Sequence, residues 1–143
     1  MEIDVQAELL IARPRAEVAA FMFDPANDAA WIGGVREARA LTDGPLQQGS
    51  RVERVASFLG RRFSYTTEVL AYEPERMVEM RATQPFEIQV RYELTDQDGG
   101  TLVRIRAAGG GTGFFKLAAP LLGAMVRRNI VGDLQRLRAR LTA

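Results

Sequence analysis

Few side chains of this chain can do chemistry, because the sequence contains neither histidine nor cysteine. Common zinc sites, Ser-His-Asp triads and the usual general base near neutral pH need histidine. Disulfides and thiolate nucleophiles need cysteine. We therefore expect no metal and no cofactor. The polar groups that remain among apolar neighbours are a phenol, hydroxyl, amide and guanidinium set: Arg54, Tyr65, Thr67, Tyr92 and Asn129. A few such groups on apolar walls are typical of small-molecule pockets.

Two motifs that would suggest other chemistry are incomplete. The glycine run at residues 109–113, GGGTG, lacks the Lys-Ser/Thr of a phosphate-binding loop, so we interpret it as a strand-to-helix joint. Asp24 and Asp28 are four residues apart, but helix capping explains Asp24 and no ligand cluster surrounds the pair. No two carboxylates are placed convincingly for acid–base catalysis.

Residues 114–141 carry the longest helical pattern. An apolar stripe recurs at three- and four-residue steps, through Ile130, Leu134, Leu137 and Leu141. The arginines of this segment scatter around the helix without aromatic partners, and the net charge is only +1. We therefore expect a solvated helix face and no nucleic-acid partner.

The first half of this helix is apolar almost all round, from residue 118 to 126, and it contains Pro120 and Gly123. Its stripe is rotated from the later one, which predicts either a kink or a second contact. A pocket lid, a homodimer contact, a membrane-touching edge and simple coverage by the short helices near the N-terminus all remain open. The segment is shorter than the ~20 residues of a membrane span, so no stable membrane insertion is expected.

Upstream of the helix, alternating apolar and charged residues predict seven strands. They cover residues 3–11, 35–41, 50–58, 62–72, 77–82, 86–94 and 101–107. Turn sequences at residues 43–45, 59–61, 73–75 and 98–100 link neighbouring strands and indicate an antiparallel sheet. Between the first two strands, Pro14 and the pair Asp24-Pro25 predict two short helices, the second ending at Trp31. The 143 residues fit a single domain.

The alternation also predicts which side chains the sheet turns towards the helix. These inward residues are Phe63, Tyr65, Thr67, Val69, Val78, Met80, Phe86, Ile88, Val90, Tyr92, Val103 and Ile105. Arg54 would point inward together with Val52 and Ala56, although Val55 favours the opposite register. An inward Arg54 must be paired or face a wet pocket, because a lone buried charge is too costly.

These patterns together predict an α+β fold, with a single curved antiparallel sheet wrapped around the long C-terminal helix. Because a long antiparallel sheet twists and coils, it curls around a helix and does not lie flat on it. The inward residues then form either a packed core or the walls of a cavity.

This order of elements resembles the START-like, or Bet v 1-like, helix-grip superfamily, and most closely its bacterial polyketide cyclase/dehydrase branch. The match is most specific in PRAEVAAFMFDPANDAAW, through Pro14, Val18, Phe21, Asp24-Pro25 and Trp31. Further matching residues are Gly49, Gly60, Val69, Tyr72-Glu73-Pro74, Gly99-Gly100-Thr101, Leu134 and Leu137. The resemblance covers nearly the whole chain and implies one helix-grip domain over residues 1–143.

The resemblance implies a deep cavity between sheet and helix that takes small hydrophobic molecules such as polyketides, lipids or quinones. Our first hypothesis is accordingly a binding protein for a small hydrophobic or aromatic ligand. The side chains expected to line the site are Trp31, Phe58, Tyr65, Met80, Phe86, Tyr92, Met125 and Asn129.

Two alternatives stay open beside ligand binding. A polyketide cyclase or aromatase would orient its substrate and draw on Arg54 and Tyr65 as its candidate catalytic residues. A protein-interaction module would instead use the apolar half of the last helix. Since the start of the chain shows no basic and then apolar run, we expect a cytoplasmic location.

Overall fold

Seven strands of this chain form a single antiparallel sheet. The computed structural model describes residues 3–58, 60–84, 87–110 and 119–143. The strands are β1 Ile3–Ile11, β2 Val35–Ala40, β3 Arg51–Phe58, β4 Arg61–Glu73, β5 Met77–Ala82, β6 Glu87–Gln97 and β7 Gly100–Gly110. The helices are α1 Arg15–Met22, a 3₁₀ helix Pro25–Asn27, α2 Asp28–Trp31 and α3 Ala119–Thr142.

The strand order is β1-β7-β6-β5-β4-β3-β2. From β2 to β7, consecutive strands are neighbours in the sheet. The segment with the short helices connects β1 at one edge of the sheet to β2 at the opposite edge. Bulges interrupt the register between Val35 and Glu37 on β2, and between Val69 and Ala71 on β4. A bulge bends its strand and increases the local twist. The predicted α+β helix-grip architecture is confirmed, with one curved sheet and a long C-terminal helix.

Three strands run further than the sequence pattern predicted. β4 reaches Glu73, β6 reaches Gln97, and β7 continues through Gly110. The interpretation of residues 109–113 as a joint is therefore wrong for its first two glycines, which pair in the sheet. An added Cβ at Gly109 would lie 2.7 Å from the backbone oxygen of Glu87, so a side chain there would press on β6. The rest of that run and the predicted helix start at residues 114–118 lie outside the described residues.

The short helices begin at the positions that Pro14 and the pair Asp24-Pro25 indicate. Asp24 accepts a hydrogen bond from the backbone N–H of Ala26 at 3.0 Å, and Pro25 starts the 3₁₀ helix. Val18 and Met22 of α1 and Trp31 of α2 are buried. These helices therefore cover one end of the sheet and bring Trp31 to its inner face.

The C-terminal half of α3 closes the core. Ile130, Leu134 and Leu137 are buried, and Leu141 packs against the same cluster. In the N-terminal half, Leu122 is buried whereas Leu121 is 67% exposed, so the two leucines face opposite ways. Within the described ranges, no helix combines the length and apolar composition that crossing a membrane requires.

Candidate functional site

A cavity of about 230 Å³ lies between the inner face of the sheet and α3. Its walls come from all seven strands, from Trp31 of α2 and the two residues that follow it, and from one stripe of α3. On α3 the lining residues are Leu122, Val126, Asn129, Ile130 and Asp133. A dry apolar cavity of about 150 Å³ is large enough to bind benzene, so this one has room for a larger guest.

Side-chain size explains why the space is open at one end. Where the sheet meets the C-terminal half of α3, large residues such as Leu94, Val103 and Leu137 fill the core. At the other end the sheet presents large side chains such as Tyr65 and Ile88 together with several much smaller residues. The small residues are Ala56 on β3, Ala82 on β5, and Ala107, Ala108, Gly109 and Gly110 on β7. Small side chains under a helix leave a void, because the backbone positions are held by the sheet and the ends of α3.

One polar residue of the cavity wall, Arg54, belongs to a buried ion pair with Asp28. Arg54 of β3 is 4% exposed and Asp28 of α2 is 2% exposed. Arg54 Nε donates to Asp28 Oδ2 at 2.7 Å, and its Nη1 donates to Thr67 Oγ1 at 2.6 Å. Among the described residues, its Nη2 meets only the sulfur of Met80, at 3.8 Å. Arg54 therefore points inward and is paired, as an inward arginine must be.

The charge of this pair is set by its surroundings. Burial lowers the pKa of Arg54, but the Asp28 carboxylate and the nearby Tyr65 and Tyr92 raise it by more in total. The guanidinium thus stays charged. Burial raises the pKa of Asp28, and the Arg54 guanidinium opposes that rise by favouring the carboxylate that compensates its own charge.

Two tyrosines stand beside the ion pair. Tyr65 of β4 lies directly opposite Arg54 of β3, and Tyr92 of β6 packs against Trp31 with ring centroids 5.6 Å apart. Burial raises the pKa of Tyr65 and raises that of Tyr92 well above its usual value. Neither hydroxyl makes a hydrogen bond to another described residue. Both groups therefore remain phenols and are open to a guest.

A polar clamp holds the segment after α2 against α3. Asp133 Oδ1 accepts from the Gly33 backbone N–H at 2.8 Å and from Arg136 Nη2 at 2.5 Å. Arg136 Nε donates to the Trp31 backbone oxygen at 3.0 Å. Burial raises the pKa of Asp133. The clamp keeps the 1%-exposed Trp31 side chain in the cavity wall, with its indole N–H lacking an acceptor among the described residues.

The structure brings five of the eight expected ligand-contact residues to the cavity: Trp31, Tyr65, Met80, Tyr92 and Asn129. Met125, which we expected to contact the ligand, is not among the residues that line the cavity. The α3 stripe that faces the cavity runs from Leu122 to Asp133, and Met125 lies beside that stripe. The side chain of Phe58 and all of Phe86 lie outside the described residues. The catalytic candidates Arg54 and Tyr65 lie opposite each other on the cavity wall.

The sequence patterns do not point to two buried carboxylates beside the cavity, Asp28 and Asp133. The requirement that an inward Arg54 be paired could have pointed to a carboxylate, and Asp28 lies only three residues before Trp31. No comparable pattern indicates Asp133, because Gly33, whose backbone N–H it accepts, lies 100 residues away in the chain.

Several solved structures share this fold. TTHA0849 from Thermus thermophilus superposes with a TM-score of 0.84 at 18% identity, and the match covers 97% of each chain. Ara h 8.0201 superposes with a TM-score of 0.73 at 13% identity, again over 97% of each chain. At such identities these likenesses show the fold alone.

A di-domain ARO/CYC, BexL from the BE-7585A biosynthetic pathway, superposes with a TM-score of 0.75 at 16% identity. The match covers 95% of this chain and 45% of that protein. No curated protein matches the chain. The family model described as polyketide cyclase / dehydrase and lipid transport matches residues 2–142, and the chain therefore belongs to that family.

Proposed function

We propose that this protein binds a small hydrophobic or aromatic molecule in the cavity between the sheet and α3. The observation that carries the proposal is the cavity of about 230 Å³, whose walls are mostly apolar. A largely apolar pocket with a few convergent polar groups is the common form of a small-molecule site. Membership of a family described by polyketide cyclisation and lipid transport agrees with such a ligand.

Binding would come mainly from apolar burial. Each Å² of apolar surface removed from water contributes about 25 cal/mol, less the cost of ordering the ligand. Trp31 and Met80 offer apolar surface deep in the cavity, while Tyr65, Tyr92 and Asn129 offer hydrogen bonds. We expect the aromatic pair Trp31 and Tyr92 to contact the ligand most closely, since both side chains are buried in the wall.

Mass spectrometry and NMR test this proposal together. Mass spectrometry of the purified protein should detect a co-purifying small apolar molecule. Because Trp31 is the only tryptophan, its indole N–H gives one cross-peak in an NMR spectrum of nitrogen-bound protons. Titration with ethylnaphthalene should shift that peak saturably and raise the melting temperature. Absence of both a co-purifying molecule and a saturable shift would refute the proposal.

A cyclase or aromatase is the second candidate, and the placement of Arg54 opposite Tyr65 favours it. A phenol held in its protonated form beside a guanidinium could donate to a substrate carbonyl while the walls orient the chain. Turnover of a poly-ketone substrate that is lost in Tyr65→Phe, with binding retained, would support this role. Retained turnover in that variant would remove Tyr65 from the reaction.

The third candidate, a protein-interaction surface on the first half of α3, rests on Leu121 alone among the described residues, because its neighbour Leu122 is buried in the cavity wall. A homodimer that dissociates on Leu121→Asp, measured by sedimentation, would support it. A chain that is monomeric at high concentration without the substitution would argue against it.

A further inference from the structure

Strand β2 forms one edge of the sheet. It pairs with β3 on one side and with no other described strand. Just beyond β2, the backbone N–H of Leu41 donates to the Arg51 oxygen at 2.8 Å. Because bonding alternates along an antiparallel ladder, residues 37, 39 and 41 direct their backbone groups towards β3. Ala38 and Ala40 therefore direct theirs away from the sheet, and such an edge is a template for a further strand.

The solvent face of this edge carries charges of both signs. Glu37 and Arg39 are exposed and lie on the face opposite to the cavity, since Ala38 between them is paired with the inward Arg54. Arg39 meets Glu53 at 3.1 Å but is itself 73% exposed, and Glu37 makes no ion pair with a described residue. A groove of about 320 Å³ lies at this edge, lined by Glu37, Ala38, Arg39, Glu53 and Val55. Backbone groups and charged side chains are thus both available to a partner.

A second copy of this chain suits the edge in one antiparallel register. A two-fold axis at Ala38 pairs the outward backbone groups of Ala38 with those of the partner's Ala38. The same axis sets Glu37 opposite the partner's Arg39, and Arg39 opposite the partner's Glu37. These are non-hydrogen-bonded positions, where side chains approach most closely, and opposite charges there stabilise the pairing.

Neighbouring registers lack this complementarity. An axis at residue 37 sets glutamate against glutamate, and an axis at residue 39 sets arginine against arginine; like charges directly opposite each other are destabilising. An axis between two residues sets outward backbone groups against groups already bonded to β3. The charges and the hydrogen-bond phase of β2 therefore select the same register.

The other edge of the sheet does not offer the same match. On β1 the exposed charged residues of the described strand, Asp4 and Glu8, are both acidic. Arg106 and Arg104 of β7 already hold them, at 2.6 and 2.8 Å. Self-pairing of β1 would bring no opposite charges together, so β2 is the edge suited to a second copy.

We propose that two copies of this protein associate through β2, with Glu37 and Arg39 of each copy in cross-strand ion pairs with the other. The two sheets then form one continuous antiparallel sheet. The bulge between Val35 and Glu37 bends the start of β2, so few residues pair and the interface is smaller than the roughly 1,200 Å² of stable complexes. We therefore expect a reversible dimer with a dissociation constant in the micromolar range, weakened by salt because the paired charges are exposed.

Sedimentation equilibrium between about 1 μM and about 1 mM protein tests this dimer. Glu37→Lys sets lysine against arginine, and Arg39→Glu sets glutamate against glutamate. Each variant alone should dimerise at least about tenfold more weakly than the unsubstituted chain. An equimolar mixture of the two variants should regain dimers, because every cross-strand pair in the heterodimer then joins opposite charges.

Two further variants are the controls, and thermal melting checks that every variant folds. Glu68→Lys makes the same change of charge on an exposed residue of β4, away from the edge, and should leave the equilibrium unchanged. Leu121→Asp should also leave it unchanged, which separates this interface from a contact through α3.

Two results would overturn the proposal. One is a dimer that persists in both Glu37→Lys and Arg39→Glu, because self-association would then use another surface. The other is an unsubstituted chain that stays monomeric up to about 1 mM, because β2 would then be an unpaired edge or the site of a different partner.

Discussion

Asp28 and Arg54 form an ion pair in the protein interior, with Nε and Oδ2 2.7 Å apart and both side chains at most 5% exposed. The pair joins the short helix α2 to strand β3 across 26 residues of sequence. It places a guanidinium in the wall of an apolar cavity and compensates its charge there. This contact therefore helps to fix the position of α2 and compensates the charge of Arg54 in the cavity wall.

Breaking this pair should cost much more stability than breaking a surface pair. Asp28→Asn or Arg54→Met leaves one buried charge without its partner, and we expect the free energy of unfolding to fall by about 3–5 kcal/mol. Because the double variant removes both charges, its loss should be smaller than the sum of the two single losses. Urea denaturation of the four proteins measures this coupling.

The exposed pair of Glu8 and Arg104, 2.8 Å apart, is the matched control for that experiment. Glu8→Gln should change the free energy of unfolding only slightly, because exposed ion pairs contribute little. Additive losses in the double variant of Asp28 and Arg54 would show that the buried contact does not couple the two residues.

Alkaline pH should destabilise the protein through its buried tyrosines. Burial raises the pKa of Tyr92 in the folded state, whereas an unfolded tyrosine titrates near about 10. Above that pH the unfolded chain loses the proton first, so the free energy of unfolding falls as pH rises towards the folded pKa. In Tyr92→Phe the fall should be shallower, and in Tyr65→Phe it should be shallower by a smaller amount. Denaturation curves at pH values on both sides of about 10 measure these slopes, and an unchanged slope in Tyr92→Phe would contradict the assignment.

A side chain at Gly33 should disturb the clamp between α2 and α3. An added Cβ would collide with Arg136 Nη2, which is held by Asp133 in the clamp that connects α2 to α3. We expect Gly33→Ala to lower the melting temperature and to increase hydrogen exchange at the Trp31 indole.

Gly123→Ala is the control substitution for Gly33→Ala. Gly123 lies within α3, and among the described residues its added Cβ would meet only Val5 Cγ1, at 3.9 Å. Alanine there should raise the free energy of unfolding by about 0.5–1 kcal/mol, the usual gain at a helix interior. Equal destabilisation by both substitutions would show that the clamp is not what makes Gly33 sensitive.

Local patterns predicted the elements and the faces of the sheet well. Alternation placed Tyr65, Thr67 and Met80 on the inner face, and it required a partner for an inward Arg54. The helical period predicted the stripe of Ile130, Leu134 and Leu137 that closes the core. These features follow from periods of 2 and about 3.6 residues, which a single sequence displays directly.

Contacts between distant segments could not be predicted in the same way. A periodic pattern predicts on which face of a strand or helix a side chain lies. It does not predict which residue that side chain contacts, so it indicates no partner for Arg54 or Asp133. Whether the inner face is packed or hollow depends on side-chain volumes at positions that face each other. The glycine run at residues 109–113 predicts a joint, because a single sequence does not show that Gly109 and Gly110 pair with β6.

The most direct test of a ligand-binding cavity is to fill it. Ala56 lies in the cavity wall on β3, and Ala40 is exposed on β2, so Ala56→Leu and Ala40→Leu make the same chemical change inside and outside the cavity. Calorimetric titration with methyl naphthyl ketone should show binding to the unsubstituted protein and to Ala40→Leu, and at least about tenfold weaker binding to a folded Ala56→Leu. Equal affinity for all three proteins would contradict a binding site between the sheet and α3.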